Sequence, residues 1–193
     1  MAAEDQQAAL DGARAGDVQA LGKLLGSYRP YIRLLVHALR RGRVPERLDD
    51  SDLIQDALVE VQRHFGRFTG TTTAEFTAWM RVIVLRAAGH TLRGHLGAGK
   101  REAGREEAGD DLAGWLAVAD STPSQHAMRL EQVAQMANAL ARLPDDMQQV
   151  LLGRHVDGLA HAAIAEQLGR SEAAVRVLYT RALRRLREEC GEG

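Results

Sequence analysis

The sequence predicts an all-α protein of two small helical domains joined by a flexible linker, and three observations carry that expectation. Apolar residues recur at spacings of three and four, alanine and leucine abound, and no sustained period-two alternation rich in β-branched residues occurs. Glycines at 94, 97, 99, 104, 109 and 114, mixed with charges, then interrupt the helical pattern between two such stretches. A 45% hydrophobic content with a formal net charge of −1 fits a soluble globular chain that buries a core, not a disordered one.

In chain order, a first helix is expected over about residues 8–25. Pro30 suits the first turn of a second, running to about Leu39 with Ile32, Leu35, Val36 and Leu39 on one side. Gly42-Arg43-Val44-Pro45 breaks that helix. Ser51 or Asp50 caps a third, whose apolar face is Ile54, Ala57, Leu58, Val61 and Phe65 and whose opposite face carries Asp52, Asp56 and Glu60 one turn apart. A Gly/Thr loop over 66–73 surrounds Phe68, and a fourth helix over about 74–92 carries Phe76, Trp79, Met80, Ile83 and Val84. Residues 1–96 form the first expected domain and 97–123 the linker, with Leu112, Trp115 and Leu116 as an apolar island suited to a short docking helix. The second domain, 124–193, has a helix to about Leu143 ended by Pro144, another over about 145–156, a turn at Gly158, and two short helices separated by Gly169-Arg170-Ser171.

Several function classes are disfavoured. No run of about 18 apolar residues occurs, and the N-terminus is polar and acidic, so neither a membrane span nor a signal peptide is expected and the chain is placed in the cytoplasm. Cys190 is the single cysteine and allows no internal disulfide and no multi-cysteine zinc site. His155 and His161 straddle a turn, and His90 and His95 are five apart; neither pair has metal-ligand spacing, and no Gly-rich phosphate loop is present. No catalytic site, metal or cofactor is therefore expected.

The near-neutral net charge conceals alternating blocks. Arg29, Arg33, Arg40, Arg41, Arg43 and Arg47 face only Glu46, whereas Asp49, Asp50, Asp52, Asp56 and Glu60 follow with no base among them. Residues 76–101 contain no acid, the stretch 102–120 is acid-rich, and Arg170 through Arg187 is basic apart from Glu172. Alternating surfaces of this kind suit one partner that is nucleic acid and another that is protein.

The most informative stretch is 162–188, which meets the steric demands of a helix-turn-helix. Ala165 is small where two helices approach, Gly169 supplies the turn, Ser171 is placed to cap the second helix, and Val175 and Leu178 pin it to the first. Arg176, Thr180, Arg184 and Arg187 then share one exposed face. Glu172, Ala173 and Arg176, near the helix start, are expected at base edges, with Arg184 and the later arginines toward phosphate and Arg170, Ser171 and Thr180 also at the DNA. A second reading makes Arg181, Arg184, Arg185 and Arg187 a solvated face near a helix C-terminus, favoured by the helix dipole.

The segment from Leu143-Pro144 through Asp157-Gly158-Leu159, then Ala163-Ile164-Ala165-Glu166-Gln167-Leu168-Gly169-Arg170-Ser171 and Ala174-Val175-Arg176, resembles region 4 of sigma-70-family factors. Asp52-Leu53-Ile54-Gln55-Asp56, followed by Phe65, Phe68, Phe76, Trp79 and Arg93, resembles region 2. With these two regions and no third, the chain resembles the extracytoplasmic-function group. The resemblance implies a bacterial RNA polymerase core as partner, through its β′ clamp and β flap, together with promoter DNA, and admits an anti-sigma factor that no segment identifies. It implies that Asp52, Gln55, Asp56 and Glu60 dock on the β′ clamp, and that the 66–73 loop, with Phe68 and Thr69, captures a flipped −10 base. Trp79, Arg81, Arg86 and Arg93 would serve strand opening, and the helix from Glu172 would read the −35 element. The acidic linker would thread toward the RNA channel. The family usually carries an Asn near Arg86 or Ala87 and an Asp near His90, and this chain has neither. Trp79 and Phe68 also have a reading as packing residues. A helix-turn-helix regulator that acts without polymerase is the alternative.

Overall fold

A computed structural model describes residues 3–40, 50–96 and 123–191, all helices and short connections with no strand among them. Internal contacts divide the chain into two compact units, residues 1–134 and 135–193.

In the first unit, α1 (Ala3–Arg14) and α2 (Val18–Arg40) form a hairpin, followed by α3 (Asp50–His64), a 3-10 turn (Phe65–Arg67) and α4 (Thr73–Leu96). The first break lies at residues 15–17 rather than before Pro30. Gly16 takes a left-handed φ of 94°, and the Asp17 carboxylate accepts from the amides of Gln19 (2.8 Å) and Ala20 (3.1 Å), which starts α2 there. Pro30 lies inside α2. Its missing N–H costs one helical hydrogen bond, but a continuous α2 buries Leu24, Leu25, Tyr28, Tyr31, Ile32, Leu35 and Val36 on one face, and that apolar burial outweighs the loss. The hairpin closes tightly because residue 12 is glycine: a Cβ there would stand 2.9 Å from the Cβ of Ala20.

Leu53, Ile54, Ala57 and Val61 of α3 and Phe76, Met80, Val84 and Ala88 of α4 complete this core. An Arg40–Asp50 ion pair ties the end of α2 to the start of α3. Besides Phe76, Met80 and Val84, the buried face of α4 takes in Thr77 and Arg81, with Trp79 and Ile83 at its margin. Thr77 is satisfied there by a polar pair in the core: its fully buried hydroxyl is 3.0 Å from the Tyr28 hydroxyl and donates to the Thr73 carbonyl at 2.7 Å. Burial pushes the Tyr28 phenol up to about 12.

The line between the units falls within α5 (Pro123–Leu140). The second unit continues with α6 (Asp145–His155), α7 (His161–Leu168) and α8 (Glu172–Cys190). Val150, Ile164, Ala165, Val175 and Leu178 form its center, flanked by Met147, Leu159, Leu168 and Tyr179. A second cluster joins Leu143, Leu151 and Ala182. Helices α6 and α7 approach at Gly153, where a Cβ would meet the Ile164 side chain at 3.2 Å. The expected break at 42–45 and the apolar island at Leu112, Trp115 and Leu116 lie outside the described residues. So does the linker from residue 97 to 122.

Candidate nucleic-acid interfaces

The turn between α7 and α8 is closed almost wholly by local backbone chemistry. Gly169 ends α7 in the left-handed region (φ 61°), with its N–H to the Glu166 carbonyl at 3.2 Å and the Arg170 N–H to the Ala165 carbonyl at 2.9 Å. Ser171 Oγ accepts from the Ala174 amide at 3.2 Å and begins α8. Val175, Leu178 and Ala182 face inward, which turns the opposite side of α8 to solvent.

Seven side chains expected at the DNA, Arg170, Ser171, Glu172, Ala173, Arg176, Thr180 and Arg184, are all exposed. Their pairing was not foreseen. Arg170 reaches back to Asp146 of α6 (3.0 Å), Arg176 pairs with Glu172 one turn earlier, and Arg184 with Glu188 (3.6 Å). Arg181 and Arg187 form no ion pair among the described residues. These exposed pairs are weak, so phosphate can displace the carboxylates at little cost. Behind the face, Tyr179 stacks on His155, whose Nε2 lies 3.0 Å from the Tyr179 hydroxyl.

In the first unit, Asp52, Gln55 and Asp56 of α3 are exposed and Glu60 is half-buried, paired with Arg63 and with His64 (3.4 Å). Beside this acidic face, α3 and α4 flank an open groove of about 550 Å³ lined by Asp56, Glu60 and His64 together with Arg86 and His90.

The loop after α3 is held from three directions. Phe68 packs into a cluster of four rings, 6.1 Å from Phe65, 5.4 Å from Phe76 and 5.2 Å from Trp79. Gly70 is required beneath it, since a Cβ there would lie 2.5 Å from the Phe68 ring. Thr72 and Glu75 form a capping box: the Glu75 amide donates to Thr72 Oγ1 (3.2 Å), and the Glu75 carboxylate accepts from the amides of Thr71 (2.8 Å) and Thr72 (3.0 Å). Those backbone donors hold the Glu75 carboxyl below the usual carboxylate range. From α1, Gln7 donates to the Thr71 carbonyl (2.9 Å) and accepts from the Thr73 amide (3.1 Å). Thr69 stands exposed at the tip.

The strand-opening set is not brought together on one surface. Arg86 is exposed, Trp79 is half-buried among the rings, and the Arg93 side chain lies outside the described residues. Arg81 departs from expectation. It is 9% exposed, its Nε and Nη2 are buried without hydrogen-bond partners, and desolvation holds its pKa below the usual arginine range, opposed by the nearby Tyr31. It sits within the buried face of α4, away from solvent.

Glu75, Gln7 and Asp146 are contributors that the sequence reading missed. The T-x-x-E pattern of residues 72–75 was available as a capping-box signal, whereas Gln7 and Asp146 act from distant helices and leave no local trace. Among the described residues no helix is long and apolar enough to cross a membrane, and no group of three or more metal-ligating side chains assembles.

Residues 27–95 match the family model of Sigma-70 region 2, and residues 134–186 that of Sigma-70 region 4. A probable RNA polymerase sigma factor RfaY of Xanthomonas campestris pv. campestris is 26% identical over 181 residues, 93% of this chain and 42% of that protein. The ECF RNA polymerase sigma factor SigD of Mycobacterium tuberculosis is 38% identical over 71 residues, 37% of this chain and 34% of that protein. The chain thus spans less than half the length of these curated relatives. Among solved structures, CnrH in complex with the cytosolic domain of CnrY aligns over 94% of both chains with 20% identity and a TM-score of 0.38. The flagellar sigma/anti-sigma complex Sigma-28/FlgM aligns over 93% of this chain and 99% of that one, with 16% identity and a TM-score of 0.37.

Proposed function

Because the chain belongs to the sigma-70 family, in its extracytoplasmic-function group, with both region 2 and region 4 matched, we propose that it directs bacterial RNA polymerase to specific promoters. It does so by binding, and supplies no catalytic group, metal or cofactor of its own. Residues 1–96 act as the polymerase-docking and −10 domain, 97–123 as the connecting linker and 124–193 as the −35 domain.

Asp52, Gln55, Asp56 and Glu60 meet the β′ clamp. An acidic exposed face on a helix that buries Leu53, Ile54, Ala57 and Val61 suits a basic protein partner and repels DNA. The loop tip at Thr69, backed by the Phe68 ring, receives an unstacked base, while Arg86 and Arg93 follow its backbone. Helix α8 enters the major groove N-terminus first, and the β flap holds the second unit over the −35 duplex. Arg81 serves as a structural cation within the first unit. The protein works in the cytoplasm, where its polymerase is, and this reading admits an anti-sigma factor as regulator without requiring one.

The observation that carries this reading is the coexistence of two unlike surfaces: a basic helix-turn-helix face and, in the other unit, an acidic helix beside a preorganized aromatic loop. A regulator acting without polymerase has use for the first alone. Run-off transcription with purified core polymerase and genomic promoter fragments tests it, comparing the intact chain with Asp52→Arg/Asp56→Arg and with Arg176→Ala. Discrete transcripts from the intact chain, their loss on charge reversal, and altered promoter choice with Arg176→Ala are expected. Duplex binding without any redirection of core overturns the proposal in favor of a stand-alone regulator.

A further inference from the structure

The outermost line of α8 carries methyl-bearing side chains before it reaches an arginine. At 3.6 residues per turn, Ala173, Val177 and Thr180 stand directly opposite the inward seam of Val175, Leu178 and Ala182, with Arg184 continuing the line. Val177 is 52% exposed, in the middle of a face otherwise built of charged and polar residues. The polar groups around it turn aside. The Thr180 hydroxyl donates to the Arg176 carbonyl at 3.1 Å, so its proton is engaged within the helix, and Arg176 pairs with Glu172 one turn earlier. On its solvent-facing side, α8 therefore presents three methyl-bearing side chains within about two turns.

We infer that Ala173, Val177 and the Thr180 methyl form a thymine-reading column, with Val177 the specificity-determining residue at its center. The inference rests on the proposed reading of duplex DNA by α8. On the major-groove edge of a base pair, the C5-methyl of thymine is the one projecting apolar group, cytosine carrying only a C5–H in its place and the remaining recognition atoms being hydrogen-bond donors or acceptors. A purine opposite Val177 would leave a polar atom desolvated against methyl groups, and a cytosine would offer only its C5–H, whereas thymine gains the contact area of a methyl. Arg176 on one flank and Arg181 on the other remain for guanine edges and phosphate.

The test uses holoenzyme assembled from the full chain and bacterial core polymerase to select an upstream element from a randomized duplex library. Each thymine of that element is then replaced singly by deoxyuridine, which removes only the methyl. With the intact chain, at least one replacement is expected to weaken binding by about fourfold, the worth of one buried methyl-sized group. Val177→Ser should abolish that sensitivity, and Val177→Ile should retain it. An element without thymine, thymines indifferent to deoxyuridine, or unchanged sensitivity in Val177→Ser each overturns the inference while promoter-directed binding stands. A holoenzyme that selects no element overturns the sigma reading itself, and this inference with it.

Discussion

Two connections, one in each unit, join a helix to the helix beside it, and they are held by opposite means. Residues 169–171 are closed by what lies within a few positions: a glycine with φ 61°, two backbone hydrogen bonds and one serine cap. Residues 68–72 are closed from afar, by the Phe68 ring seated among three aromatics, by Gln7 of α1 and by the Glu75 carboxylate. The first is a stiff joint that sets the pitch of α8 against α7. The second is a loop held so that its tip is free while its ends are not, which suits capture of an unstacked base. A local turn depends on conformational preference, and a tertiary loop on packing.

Breaking each closure separates the two. The largest effect is expected for Phe68→Ala, which removes a half-buried ring from the four-ring cluster. A cost of about 2–3 kcal/mol is expected, below that of a fully buried phenylalanine. In chemical denaturation it should lower the transition of the first unit and leave that of the second unmoved; equal shifts in both would mean that the closures are not independent.

Gly169→Val comes next. A β-branched residue at φ 61° costs about 1–2 kcal/mol, and the loss should appear in the second unit alone. Amide exchange across residues 164–178 reads it directly, and unchanged protection there would show that the turn does not need glycine.

The smallest effect sharpens the comparison through acid. The folded-state pKa of Glu75 lies below its ordinary value of 4.5, so its stabilization of the loop is fully present above about pH 4.5 and is lost as pH falls through the lowered value. Exchange protection of the Thr71 and Thr72 amides should therefore fall in that acidic window. Glu75→Gln should show weakened protection already at neutral pH, with the acid step gone. The 169–171 turn, with no titrating closure, is the internal control.

Legibility followed the same division. The helix-turn-helix could be read closely, with Ala165, Gly169, Ser171, Val175 and Leu178 each in its expected role, because a turn's geometry is dictated by residues within reach of one another along the chain. The acidic face of α3 was legible because a helix converts spacing into sidedness. The strand-opening set was legible only in part. Arg81 was expected at the opened strand by resemblance, yet it lies in the buried face of α4 beside the polar Thr77–Tyr28 pair.

By itself, then, the sequence determined the helical class, the two stretches of helix either side of a glycine-rich interval, the helix-turn-helix and the placement of charge in blocks, since each follows from periodicity, capping or turn chemistry. Only the tertiary structure decided that α2 runs through Pro30, that Phe68 and Trp79 belong to one aromatic cluster, that Arg170 is steadied by Asp146 and that Arg81 is buried. Each of these depends on a partner many residues away, and the energy of a contact with such a partner leaves no periodic mark in the chain.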